Sequence, residues 1–82
     1  MARGQIVTGL DIGTHTIKAL VAERRGAEWN ALSYVQIPSF GLRRGAVVNI
    51  EETTKNIQLL MTRVQRDYGR RINSVFVNIG GS

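Results

Sequence analysis

The sequence lacks cysteine altogether and has a single histidine, His15, among its 82 residues. Disulfides, thiol catalysis and cysteine-ligated zinc or iron–sulfur centres are therefore excluded. With one His and six Asp and Glu, the chain has little material for a metal cage built by protein alone. No apolar run approaches the roughly 20 residues that cross a bilayer. No signal-peptide type of apolar segment precedes the first strand-like stretch, so we expect a cytoplasmic protein.

The length of the chain is a second constraint, since 82 residues form one small domain and no more. Apolar residues make up 43% of the chain and charged residues 21%, the balance of an ordinary soluble globular protein. Small domains without disulfides or a metal are marginally stable, because they bury a modest fraction of their surface. We therefore expect the chain to be part of a larger protein or to need a partner.

The charge balance is basic, with 11 Lys and Arg against six Asp and Glu, a net charge of +5 and a pI near 10.8. Most of the arginines are scattered as pairs at predicted turns or element ends: Arg24–Arg25, Arg43–Arg44 and Arg70–Arg71. No aromatic side chains are interleaved with them to stack nucleic-acid bases. We expect a solvated basic surface and no nucleic-acid partner. An anionic partner, such as a polyanion or a lipid headgroup, is the alternative.

Hydrophobic patterning predicts an α/β fold with the element order β-β-β-α-β. Three strands are predicted to form an antiparallel meander, at residues 6–12, 16–23 and 29–37. Gly9, inside the first strand, predicts a β-bulge or a close backbone approach. Trp29 is expected to pack within its strand and not to bind a ligand.

The second half of the chain predicts a loop, a helix and a last strand. Residues 38–48 contain the only proline and two glycines, which is typical of a loop. Asn49, with Glu52 three positions later, has the form of a helix-capping box. Gly69 is placed to end the helix as its C′ residue. Apolar residues at helical spacing are expected to be core: Ile50, Ile57, Leu60, Met61, Val64 and Tyr68. We therefore predict a helix at 50–68 and a strand at 73–79.

The segment that can carry chemistry is the turn between the first two strands. Asp11 lies near the end of the first strand, and Gly13 lets the backbone turn tightly into Thr14 and His15. Successive N–H groups in such a turn can bind phosphate oxygens, and Lys18 adds a cation. Asp11 can hold Mg²⁺ through water, because that ion dehydrates reluctantly. The alternative is a purely structural hairpin, since Asp, Gly and Thr are common turn formers, with His15 exposed and not catalytic.

Three segments carry a resemblance to a known family. Residues 9–18 (GLDIGTHTIK) resemble the first phosphate motif of the actin, Hsp70 and sugar-kinase superfamily. Residues 38–51 (PSFGLRRGAVVNIE) resemble the passage before the first helix of FtsA, a bacterial actin-like family. Residues 72–82 (INSVFVNIGGS) are similar to the FtsA strand that precedes the inserted SHS2 subdomain. The resemblance implies that residues 1–82 are part of an actin-like ATPase subdomain 1A, an incomplete ribonuclease-H-like fold.

The resemblance implies ATP and Mg²⁺ as cofactors, bound in a cleft between two domains. Asp11 would then lie near the metal, with water between them. Gly13, Thr14 and His15 would offer backbone donors to the phosphates, and Lys18 matches the basic position found in actin. The family binds ATP and hydrolyses it weakly. We expect no catalytic residue here and no useful ATPase activity from this chain alone, because half a cleft cannot orient a nucleotide or exclude water.

The resemblance also implies partners and a cellular place. FtsA tethers FtsZ filaments to the inner face of the cell membrane at the division site, helps to recruit the divisome and self-associates. Its membrane contact uses a C-terminal amphipathic helix that is expected outside this sequence. The expected function is therefore that of the N-terminal part of a cell-division protein. The alternatives are a PilM-like protein of type IV pilus assembly, a small-molecule kinase of the same superfamily, and a stand-alone interaction module.

Overall fold

A computed structural model describes residues 4–40, 42–43, 46–47 and 49–79. Its elements are β1 (Gln5–Ile12), β2 (Thr16–Arg25), β3 (Glu28–Pro38), β4 (Leu42–Arg43), β5 (Ala46–Val47), α1 (Ile50–Tyr68) and β6 (Phe76–Ile79). The α/β class and the predicted element order are confirmed, with two short paired strands added between the third strand and the helix. Within these ranges, no helix is long and apolar enough to cross a membrane.

The longer strands form one mixed sheet in the order β3-β2-β1-β6. β1 pairs antiparallel with β2, and β2 pairs antiparallel with β3, which confirms the predicted meander. β6 lies parallel to β1 on its other side. A parallel neighbour requires a long crossover connection, and the segment that contains α1 supplies it. β1 is therefore an inner strand, and its residues 9–12 have partners on both sides.

The hydrophobic core lies between α1 and one face of the sheet, here called the inner face. Alternate residues of each strand point to this face, as the pleat of a strand requires. The buried apolar cluster consists of Leu10, Ile12, Ile17, Ala19, Val21, Ile37, Leu60 and Val64. Leu60 and Val64 are one helical turn apart and fully buried where α1 packs on β2 and β3. At the same interface, the Ser33 hydroxyl donates a hydrogen bond of 2.6 Å to the Asp67 carboxylate.

The helix α1 begins and ends where its capping signals predict. Asn49 has an extended backbone, and its Oδ1 accepts a hydrogen bond of 2.9 Å from the Glu52 N–H. Gly69 has a φ of +84°, in the left-handed region that favours glycine. Its N–H donates to the Gln65 carbonyl at 2.8 Å. The observed helix, Ile50–Tyr68, has the predicted bounds.

Each strand of the meander extends one or two residues beyond its predicted bounds, and two other regions differ more. Within residues 38–48, predicted as a loop, Leu42 of β4 pairs with Val47 of β5, and residues 41, 44–45 and 48 lie outside the described residues. Strands of two residues are too short to leave a period-2 pattern, so the sequence there is typical of a loop. The last strand begins at Phe76 and not at residue 73, because its pairing with β1 starts there.

The expectation of a bulge or a close approach at Gly9 is wrong. The β1–β2 register runs unbroken through the Gly9–Leu20 pair. A Cβ at Gly9 would have no atom of the described residues within 4 Å. The register irregularity lies instead between Val21 and Ala22, where β2 pairs with β3. Gly9 therefore leaves open space on the outer face, which is the sheet face opposite α1.

Large apolar side chains are exposed in several places, among them Ile50, which the helical spacing predicts to be core. Trp29 is 55% exposed near the turn of the β2–β3 hairpin, with the Arg24 guanidinium 5.7 Å from its ring centroid. Ile50 is 76% exposed, because the buried face of α1 begins at Asn56. Val77 is exposed because α1 packs mainly on β2 and β3 and leaves the β6 side of the inner face open.

Asn49→Ala should lower the free energy of unfolding by about 1 kcal/mol, because the Glu52 N–H loses its partner at the helix start. Urea unfolding, followed by the helical circular dichroism signal, measures the change. Asn73→Ala is the matched control, since it truncates an exposed asparagine outside the helix. Equal losses in the two variants would contradict the capping role of Asn49.

Candidate functional site

The turn between β1 and β2 is closed by its own backbone. The Gly13 N–H donates to the Thr16 carbonyl at 2.9 Å, with Thr14 and His15 between them. His15 is exposed, as expected for a turn residue. The Gly13 N–H, one of the predicted phosphate donors, is therefore engaged inside the turn. It would have to leave the Thr16 carbonyl to reach a ligand.

Asp11, Lys18 and Asn78 occupy one register position on three neighbouring strands, and are here called the outer-face trio. Asp11 on β1 pairs with Lys18 on β2 and with Asn78 on β6. The buried residues Leu10 and Ile12 flank Asp11 and point to the inner face, so the trio lies on the outer face. The Asn78 Nδ2 donates to Asp11 Oδ1 at 3.2 Å. The fold therefore brings the predicted carboxylate and cation together and adds an amide.

Asn78 is the member of the trio that sequence reasoning misses. It lies 67 residues from Asp11 along the chain. The register between two parallel strands is not contained in the local pattern of either strand. The available signal is the apolar alternation of Val75 and Val77, which places Asn78 on the face opposite to them.

The charges of the trio suit a phosphate ligand that carries its magnesium ion. Mg²⁺ prefers oxygen ligands and keeps several waters, so one carboxylate such as that of Asp11 can place it. Within the described ranges, no three His, Cys, Asp or Glu side chains form a group that could hold a metal. The residues therefore fit a hydrated ion that is shared with a phosphate, and they do not fit a structural metal centre.

An open, mainly apolar depression of about 430 Å³ adjoins the trio on the outer face. Its lining includes Gly9 and the exposed side chains of Leu20, Tyr34 and Phe76, together with Asp11 and Lys18. Apolar surface therefore lies directly beside the charged groups of the trio.

Residues 38–40, here called the strap, contact the turn through the backbone. The Ser39 N–H donates to the His15 carbonyl at 3.0 Å. The Ser39 Oγ is buried and has no hydrogen-bond partner in the part of the chain that the structure describes. The link between strap and turn is therefore made by the main chain of Ser39 and not by its side chain.

Asn56 of α1 holds the strap on both sides of this link. Its Nδ2 donates to the Pro38 carbonyl and its Oδ1 accepts from the Phe40 N–H, each at 3.0 Å. Asn56 is 5% exposed, and its amide is satisfied by these two bonds in place of water. Sequence reasoning misses this residue, although its spacing from Leu60 and Val64 places it on the same buried helix face.

The mixed four-stranded sheet and its covering helix are compatible with an incomplete actin-like subdomain. No protein-family model matches the chain. Comparison with individual proteins narrows the class. The cell division protein FtsA of Pseudomonas aeruginosa is 41% identical over 80 residues, which are 96% of this chain and 19% of that relative.

Two further FtsA proteins show the same extent of similarity. FtsA of Streptococcus pneumoniae is 37% identical over 82 residues, 100% of this chain and 18% of the relative. FtsA of Enterococcus faecalis is 37% identical over 79 residues, 96% of this chain and 18% of the relative. The resemblance to FtsA that the sequence predicts is therefore confirmed over the whole chain. The chain spans 18–19% of the length of the curated relatives it matches.

Asp11→Asn keeps an oxygen for the Asn78 Nδ2 and removes the charge opposite Lys18. We expect the free energy of unfolding to change by less than about 1 kcal/mol, because partly exposed charge pairs contribute little to stability. Urea unfolding of the two chains measures the difference. A loss of about 3 kcal/mol or more would show that this carboxylate serves the fold, as in a purely structural hairpin.

Proposed function

We propose that this chain is part of an ATP-binding, actin-like cell-division protein of the FtsA type. The observation that carries the proposal is its similarity, over nearly the whole chain, to FtsA proteins of three bacteria at 37–41% identity. The name of these relatives supports a role in cell division. ATP binding, partners and location extend the proposal beyond that name, since the chain spans 18–19% of their length.

In this proposal, the β1–β2 turn and the outer-face trio form one side of a site for the phosphates of ATP. Gly13 closes the turn, and the backbone N–H groups of Thr14 and His15 would be the donors to the anion. Lys18 supplies a point charge of the kind that binds phosphate. Asp11 would repel a bare phosphate, so its role is to hold Mg²⁺ through water. The ion, when bound, neutralises phosphate charge.

This chain supplies one side of the proposed phosphate site, which limits what it can do alone. Orientation of a triphosphate and exclusion of water both need groups on two sides of the ligand. The outer-face trio and its adjoining depression are open to solvent in this chain. We therefore expect the chain alone to have no useful ATPase activity. The opposite wall would come from the rest of an FtsA-type protein.

The partners follow from the same proposal. The protein would act at the inner face of the cell membrane at the division site. It would link FtsZ filaments to that membrane, recruit divisome proteins and self-associate. The membrane contact would come from an amphipathic helix outside the described residues. None of these interactions uses nucleic acid.

The test of the nucleotide site uses the protein at the length that its gene encodes. Calorimetry measures ATP affinity once with Mg²⁺ and once with EDTA. The unmodified protein should bind ATP more tightly with Mg²⁺. Asp11→Asn should bind ATP about tenfold more weakly with Mg²⁺, because the ion loses the carboxylate that holds it through water. With EDTA it should bind ATP no more weakly than the unmodified protein, because the substitution also removes the charge that repels bare phosphate.

Glu28→Gln is the matched control, since it removes one exposed carboxylate at the start of β3 near the hairpin turn, far from the trio. It should keep the full gain in affinity that Mg²⁺ provides. An unchanged gain in Asp11→Asn would show that Asp11 does not hold the metal. An unmodified protein that binds no ATP would overturn the nucleotide proposal as a whole.

Depletion of the protein in the bacterium that encodes it tests the cell-division role. We expect septation to stop while growth continues, which yields long undivided cells visible by light microscopy. Re-expression of the unmodified gene is the control and should restore division. Normal division with loss of pili would contradict the proposal and favour the PilM-like alternative.

A further inference from the structure

We propose that Asn56 is a positioning residue for the β1–β2 turn: through the strap it fixes the turn to α1 and thereby strengthens binding of phosphate groups. The inference rests on the proposed function, because it concerns the same turn. It adds a residue that lies outside the phosphate motif, on a helix, and that contacts neither the turn nor the trio in the hydrogen-bond network described above.

The path from helix to turn consists of three hydrogen bonds of 3.0 Å. Two of them join the Asn56 amide to the Pro38 carbonyl and the Phe40 N–H. The third joins the Ser39 N–H, between those two residues, to the His15 carbonyl. The strap is also held by the sheet, since Pro38 pairs with Thr16 of β2, and by Thr53, whose Oγ1 donates to the Phe40 carbonyl at 3.5 Å. Asn56 bonds to both of its ends and therefore restricts where the Ser39 N–H lies relative to α1.

The chemistry of this position requires an amide. One side chain must accept from an N–H and donate to a carbonyl at the same time, which Asn does and which neither Asp nor Leu can do. Burial makes the requirement strict, because a buried backbone group without a partner is costly. The part of α1 that carries Asn56 is itself held in place, since Leu60, one helical turn away, is fully buried in the core.

The turn needs an anchor outside its own hairpin. Its closing bond, from the Gly13 N–H to the Thr16 carbonyl, shapes the turn but does not fix it relative to the helix layer. The strap adds a contact to the second layer of the fold. N–H donors that are already held in place bind an anion better than mobile donors, because the donors need not reorganise when the anion binds.

A matched control exists at the same interface. The Ser33 hydroxyl on β3 donates to Asp67 on α1 at 2.6 Å, so Ser33→Ala removes a helix–sheet hydrogen bond from the same pair of elements. Ser33 lies five residues before the strap, and neither bonded atom belongs to the strap or the turn. A variant that acts only by general destabilisation of α1 on the sheet should therefore behave like Ser33→Ala.

The first measurement is hydrogen exchange, by mass spectrometry, on the protein at the length its gene encodes. In Asn56→Leu, exchange in the peptide that carries the Ser39 N–H should be about tenfold faster than in Ser33→Ala. Asn56→Asp keeps the acceptor for the Phe40 N–H, so it should fold and show a smaller increase. Ser39→Ala should leave exchange in the strap unchanged, because the Ser39 side chain makes no bond within the described residues.

The second measurement compares ATP with adenosine, which lacks phosphates, by calorimetry on the same proteins. Asn56→Asp should weaken ATP binding by about threefold to tenfold and leave adenosine binding unchanged, because the turn contacts phosphate alone. Ser33→Ala should change neither affinity. Equal weakening of ATP and adenosine would indicate general damage and overturn the positioning role.

Two further outcomes separate this inference from the function it rests on. Exchange in the strap that does not change in either Asn56 variant would overturn the inference, whatever the ATP affinity. An unmodified protein that binds neither ATP nor adenosine would overturn the proposed function. The exchange measurement would still decide whether Asn56 fixes the turn.

Discussion

The register of β1 is the constraint on which the rest of this structure depends. β1 pairs with β2 along its whole length and with β6 at residues 9–12, so Leu10, Asp11 and Ile12 have one partner in each direction. Because side chains alternate between faces, a slip of one residue would move Leu10 and Ile12 out of the core and Asp11 into it. The cost of burying that carboxylate and exposing the two apolar side chains holds the register in place.

This constraint connects the core to the candidate site. The same pairing that buries Leu10 and Ile12 against α1 places Lys18 and Asn78 beside Asp11 on the opposite face. The turn then begins directly after the last buried residue of β1. The packing of β1 therefore fixes the positions of the core residues and of the polar outer-face residues together. A phosphate-binding site on the outer face needs no further structural element to position its residues.

Polar contacts between the helix and the sheet are directional, whereas apolar packing is not, and they help to fix how α1 lies on the sheet. Leu60 and Val64 are fully buried where α1 packs on the sheet. Ser33 bonds to Asp67 near the end of the helix, and Asn56 bonds to the strap nearer its start. Two directional contacts, about three helical turns apart, define both the position and the direction of the helix.

The local parts of this fold are predictable from the sequence. The ends of α1 follow from Asn49 and Gly69, because caps are made by the residues at the helix ends themselves. The meander follows from alternation and turn residues. Asp11, Lys18 and the turn were identified as the candidate site from one short segment.

The other parts depend on contacts between distant segments. The hydrogen bonds from Asn78 to Asp11 and from Asn56 to the strap each join residues that are too far apart in the sequence to fall within one short segment. The exposure of Trp29 and Ile50 also depends on distant contacts. Hydrophobic patterning shows that a side chain is apolar, but it does not show whether a helix or strand on the other side of the core covers it. The expectation of a bulge or a close approach at Gly9 is wrong because a glycine in a strand is equally compatible with open space beside it.

The most direct test of the central claim, that the turn and the trio form one wall of a magnesium–nucleotide site, replaces Mg²⁺ with paramagnetic Mn²⁺. Nuclear magnetic resonance of the protein at its encoded length, with Mn²⁺ and ATP added together, locates the ion through the signals it broadens. If the turn and the trio hold the ion, broadening should be strongest for the backbone signals of Asp11, Thr14 and Lys18 and should disappear when excess Mg²⁺ is added. Broadening centred on residues remote from the turn and the trio, or no broadening with ATP present, would contradict this assignment.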